Sequence, residues 1–224
     1  MSVYTQPTGV SITCNQVICA SKHDGIIRYK LRILYIIKRM KPTDEKLLMP
    51  LPVWVYIGGW LFFAYLFVQI LSFRAEDPNN ILLSGLYFIE FGVHEVSHMI
   101  AAFLPPIFVA VAGSIGEIAF TVLLVFAALK GKAYFAAVFT GLWVMLAMNS
   151  VGRYMADARS QLLPLVGPGE TVQHDWHFIF GQLGWLTADT TLGGIVRGFG
   201  IVIVVAALGW GIYLIVAKVA APSK

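Results

Sequence analysis

The chain has 224 residues, of which 58% are hydrophobic and only 12% charged, and its mean hydropathy of +0.76 excludes an ordinary soluble domain in favour of a polytopic membrane protein. The net charge of +4 does not read as nucleic-acid binding, because eight of the sixteen Lys and Arg fall within the first 52 residues, beside the first apolar span, where they suit an anionic membrane surface. Two cysteines, Cys14 and Cys19, form neither a disulfide framework nor a zinc ribbon and are read as free thiols.

Residues 1–24 form a polar N-terminal segment without the basic start and apolar centre of a secretory signal, so insertion is expected to rely on internal spans. Residues 25–48 interleave Ile26, Ile27, Leu31, Leu34 and Ile37 with Arg28, Lys30, Arg32, Lys38 and Arg39. This basic amphipathic pattern predicts a helix lying along the interface, followed by a linker. The membrane domain is expected over residues 49–224. A helix needs about 20 apolar residues to cross the hydrocarbon core, and five segments qualify: residues 53–73, 81–104, 107–129, 133–159 and 193–218. The fold class is therefore an all-α bundle, with a further short interfacial helix within residues 174–186. A cytoplasmic N-terminus places eleven Lys and Arg inside and five outside, the arrangement the positive-inside bias favours, and suggests a multi-pass protein of the plasma (inner) membrane.

The second span carries His94-Glu95-Val96-Ser97-His98. Imidazoles four residues apart on a helix project from one face and can share a metal ion, and Glu95, about 100° further round, can reach a water beside it. Ionisable groups at membrane depth cost several kcal/mol and normally face a bundle interior, a cavity or a metal. Glu90 continues the His94 and His98 stripe, so it can orient His94 or ligate the ion itself. Glu117 lies in the middle of the third span. The fourth ends with Asn149, Arg153, Asp157 and Arg159, a polar terminus for a bilayer helix.

Tetrahedral catalytic zinc takes three protein ligands and leaves the fourth place for water. Asp157 is the candidate third ligand, because the second and fourth spans run in the same direction and a hairpin separates them. At 1.5 Å per residue, His94 lies about 20 Å and Asp157 about 36 Å from their outer helix ends, so tilt or a break near Gly152 is expected. Glu90 and Glu117 are further candidates. So are His174, Asp175 and His177, which follow the loop holding Pro164, Gly167, Pro168 and Gly169. Either histidine of this cluster can fold back to replace Asp157 or to bind a developing oxyanion, although Asp175 at a helix start and Trp176 at an interface also have purely structural uses.

These residues resemble the site-2 proteases, intramembrane zinc metalloproteases marked by His-Glu-x-x-His on one core helix and Asn-x-x-Pro-x-x-x-Leu-Asp-Gly two helices later. Here Asn149 and Asp157 keep the spacing, while Gly152, Ala156 and Ala158 stand where the family has Pro, Leu and Gly. The resemblance covers residues 81–159. It implies Zn2+ held by His94, His98 and Asp157, with Glu95 as the proton acceptor and Asn149 aligning substrate backbone. The substrate it implies is a transmembrane helix that unwinds locally, since a regular helix shields its own peptide bonds. Two readings from other classes stay open: a metal-dependent membrane enzyme acting on lipid, and a non-catalytic channel, carrier or scaffold with buried His and Glu.

Overall fold

A computed structural model describes residues 51–73, 80–165 and 173–220. The polar N-terminal segment, both cysteines and the basic interfacial helix expected at 25–48 lie outside the described residues. Those described form six α-helices and no strand: α1 Val53–Ser72, α2 Ile81–Ile100, α3 Pro106–Lys130, α4 Tyr134–Ala156, α5 Asp175–Leu183 and α6 Asp189–Ala220. A 3-10 turn at Leu186–Ala188 precedes α6.

The ends of these helices follow from local chemistry. Asn80 caps α2 by accepting the Leu83 N–H at 3.1 Å. Pro106 opens α3, where its missing N–H would have had no intrahelical partner in any case. The chain reverses between α3 and α4 through Gly131 and Lys132, the latter at φ 57°. His174 caps α5, which ends where Gly184 takes φ 69°, a conformation that costs glycine nothing. The last helix begins at Asp189, whose carboxylate accepts the Thr190 N–H at 2.6 Å.

Four segments are long and apolar enough to span a bilayer: α1, α3, α4 and Leu186–Ala220. Large side chains such as Trp54, Phe88, Phe103 and Leu123 lie well exposed along the helices, a pattern that suits lipid and not water, and the chain is a membrane protein. The expected five spans are thus four by this measure. Although α2 matches α1 in length, Glu90, His94, Glu95 and His98 lower its hydropathy.

At the centre stands α4, with 61% of its most apolar stretch buried against 17–28% for the other three. It packs on α6 at very close range: a Cβ on Gly152 would lie 2.6 Å from the Gly193 carbonyl oxygen, and one on Gly200 3.1 Å from the Met148 Cβ. Gly152 therefore serves helix contact, and α4 runs through it to Ala156 without the break expected there. One apolar cluster joins Phe63, Leu66, Ile70, Leu83, Leu142 and Met145. A second, of Ala110, Val151, Met155, Ala158, Ile179 and Phe180, fastens α5 onto α3 and α4, and Trp176 Nε1 donates to Ser114 Oγ at 3.1 Å beside it. Fixing α5 in this way fixes Asp175 at its first residue.

Candidate metal centre

The helical period puts His94 and His98 on one face of α2, their ring centroids 4.7 Å apart. That face lies against α3, which runs antiparallel to it. His94 Nδ1 meets Glu117 Oε2 at 3.3 Å, and one turn further on His98 Nδ1 meets the Val109 carbonyl oxygen at 2.8 Å. A carbonyl and a carboxylate only accept, so each Nδ1 carries the hydrogen and donates it. Both Nε2 atoms are left with their lone pairs, as in histidines oriented for metal binding from behind the ring.

Both Nε2 atoms lie beside the same carboxylate. Asp175 Oδ2 lies 3.3 Å from His94 Nε2 and 3.2 Å from His98 Nε2. Three acceptor atoms meeting without a donor repel one another unless a cation joins them, either a metal ion or protons on the rings. Their spacing of 3.2–3.3 Å fits either one. Ligand atoms about 2.0–2.1 Å from zinc at the tetrahedral angle are about 3.3 Å apart. All three ligand atoms lie within 4.8 Å of one another, and this is the group of His, Cys, Asp and Glu among the described residues that can hold an ion.

The α3 backbone is bare where the nitrogens converge. A Cβ on Gly113 would stand 2.5 Å from His98 Nε2 and 2.6 Å from His94 Nε2. Any side chain there would fill the space on which the two rings are aimed.

Asp175 is itself held in place. Tyr154 on α4 donates its hydroxyl to Asp175 Oδ2 at 3.3 Å and accepts the Asp175 N–H at 3.0 Å. Its ring stacks on His174 with centroids 4.2 Å apart and lies 6.1 Å from the His94 ring. Burial pushes the Asp175 carboxyl up, but hydrogen bonds and charge from His94 and His98, when those rings are protonated, outweigh it and hold the group below the ordinary carboxylate value. Glu95 is half-buried on the adjacent face of α2.

Asp157 does not join this group. It caps the C-terminus of α4, where it accepts hydrogen bonds from Ser160 Oγ at 2.6 Å, from Leu162 N–H at 3.0 Å and from Leu163 N–H at 2.9 Å. His174 Nε2 lies 3.5 Å away. Burial raises the Asp157 carboxyl, yet these donors hold it below its ordinary value. Burial lowers His174 despite the nearby carboxylates. Asp175, and not Asp157, thus lies beside the histidines, because the carboxylate of Asp157 is taken up by the turn that follows its own helix.

The other expected residues divide similarly. Glu117, and not Glu90, backs His94: the antiparallel register of α2 and α3 sets Glu117 beside the ring. Glu90 is fully buried, with neither carboxylate oxygen hydrogen-bonded among the described residues. His177 Nδ1 meets the Ala158 carbonyl oxygen at 2.8 Å and steadies the loop. Asn149 ties three helices together, accepting from Arg197 Nε at 3.0 Å and donating to the Ile70 carbonyl at 3.3 Å, so it is engaged in packing and not at the histidines. Tyr154 lies within the polar end of the fourth span, but nothing in the local sequence pattern marks Gly113. Comparison of the chain with protein-family models, with curated proteins and with solved structures finds no match.

Proposed function

We propose that this chain is a zinc-dependent intramembrane endopeptidase whose metal is held by His94, His98 and Asp175. One observation carries the proposal: two Nε2 atoms, each on a ring whose Nδ1 faces an acceptor, lie 3.2–3.3 Å from one carboxylate oxygen. The donor set of two imidazoles and one carboxylate suits zinc and leaves a fourth position open. Bound there, Zn2+ supplies a Lewis acid that polarises a carbonyl and acidifies water toward a pKa of about 7.

The chain's own groups supply the rest. Glu95 neighbours both ligands on α2 and accepts the proton of the attacking water, then delivers it to the leaving amine. Tyr154 orients Asp175 through both of its hydrogen bonds. Apolar surroundings exclude bulk water and strengthen each of these interactions. The substrate is a transmembrane or membrane-proximal segment able to expose its backbone locally. By the distribution of positive charge we assign the N-terminal side to the cytoplasm and the protein to the plasma (inner) membrane.

The test uses the full chain purified without chelators and assayed for metal, with a reporter transmembrane segment in proteoliposomes for cleavage. About one zinc per chain is expected. His98→Ala and Asp175→Asn should lose it, and Glu95→Gln should keep it while abolishing cleavage. Absence of metal from the wild type, or full retention by Asp175→Asn, sinks the proposal.

A further inference from the structure

A cavity of about 400 Å3 opens beside the histidines. Its polar end is formed by His98 and Asp175, and its walls by Leu104, Val109, Ala110 and Phe178. The lip lies at the turn between α2 and α3, near Leu104 and Pro106. Around that turn Met99, Ile100, Phe103 and Phe108 are 58–83% exposed, a surface that suits lipid. The cavity is therefore largely apolar, with polar groups at His98, Asp175 and Gln173, and exposed apolar side chains stand on the turn beside it.

We propose that this cavity receives one apolar side chain of a peptide substrate, that of a residue flanking the bond to be cut, entering past Leu104 and Pro106. The inference rests on the metallopeptidase reading of His94, His98 and Asp175 and names the substrate feature that site selects. The volume lies at the small end of ligand pockets, which run from about 300 to 1,000 Å3. It accommodates an aromatic or branched side chain. His98 and Asp175 belong both to the cavity and to the ligand group, so a side chain in the cavity brings its own main chain to the metal position. Ala110 and Ala102, the small residues of the lining, set the depth available.

Co2+ in place of zinc gives the full chain in detergent a visible spectrum that reports ligands arriving at the metal. Three chelating probes separate the cases: acetohydroxamate, 3-phenylpropionyl hydroxamate and tetradecanoyl hydroxamate. The phenylpropionyl probe should bind roughly 10-fold or more tightly than acetohydroxamate, the gain an apolar pocket gives to a fitting group. Filling the cavity with Ala110→Trp should bring the ratio close to one with the Co2+ spectrum retained. Ala102→Trp, at an exposed position, provides the same test should the buried substitution prevent folding. Equal binding of the two short probes, or an unchanged ratio in the filled variants, overturns the proposal. Affinity that keeps rising to the tetradecanoyl probe describes an acyl channel and overturns it too. A chain that takes up no Co2+ loses the metallopeptidase reading and the pocket assignment with it, whereas one that binds Co2+ and hydroxamate without discrimination loses the pocket alone.

Discussion

Gly113→Ala adds one methyl group where two imidazoles converge. Built on the backbone, that carbon stands 2.5 Å from His98 Nε2 and 2.6 Å from His94 Nε2, while ordinary contact begins at 3.4 Å. Restoring that distance moves the rings by about 0.9 Å and about 0.8 Å, respectively, whereas a metal site tolerates about ±0.2 Å in its ligand distances. At least one imidazole is therefore lost to the ion. Disturbing only the groups that orient a ligand already costs about 10–100-fold in affinity, so displacing the ligand should cost about 100-fold or more. The helix itself should not suffer, since alanine is favoured over glycine in a helix interior by about 1 kcal/mol. The measurement is competition for Co2+ against a chelator of known affinity, with helicity followed by circular dichroism. Gly92→Ala is the control, because a Cβ at Gly92 meets nothing within 4 Å. A Gly113→Ala protein that binds Co2+ as tightly as the wild type refutes the convergence of the two nitrogens on that space.

Tyr154→Phe removes the hydroxyl that both donates to Asp175 Oδ2 and accepts the Asp175 N–H, so metal affinity should fall about 10–100-fold at unchanged helicity. Equal affinity in the same chelator competition would show that Asp175 needs no such support. Glu90→Leu replaces a fully buried carboxylate that lacks hydrogen-bond partners among the described residues, and should raise the stability of the bundle by about 1–3 kcal/mol in a detergent unfolding titration. A loss of stability there would reveal a partner for that carboxylate. Asp157 has a carboxyl held below its ordinary value, so its contribution to stability is complete above about pH 4 and is lost as pH falls through the lowered value of the folded state. Asp157→Asn should accordingly flatten the acid limb of a stability profile while sparing metal binding at pH 7. Loss of the metal at neutral pH would return Asp157 to the ligand set.

The residues 94–98 show how far local pattern reaches. Helical periodicity alone puts two imidazoles on one face with a carboxylate beside them, and the length and apolarity of the segments alone demand a bundle in a membrane, because backbone polar groups in hydrocarbon must be satisfied within helices. The site's remaining members depend on contacts between distant parts of the chain. The stripe along α2 points to Glu90 behind His94, whereas the antiparallel register of α2 and α3 sets Glu117 there, at 3.3 Å from the ring. Asp157 satisfies a motif spacing, yet nearby N–H and hydroxyl donors in its own turn outcompete any ion for it. Asp175, 77 positions after His98, reaches the histidines because Ile179 and Phe180 bury themselves against α3 and α4 and carry the start of α5 with them. Periodicity is a property of one helix and can be read along it; which carboxylate closes the site is decided by how apolar faces pack, and a linear pattern carries no record of that.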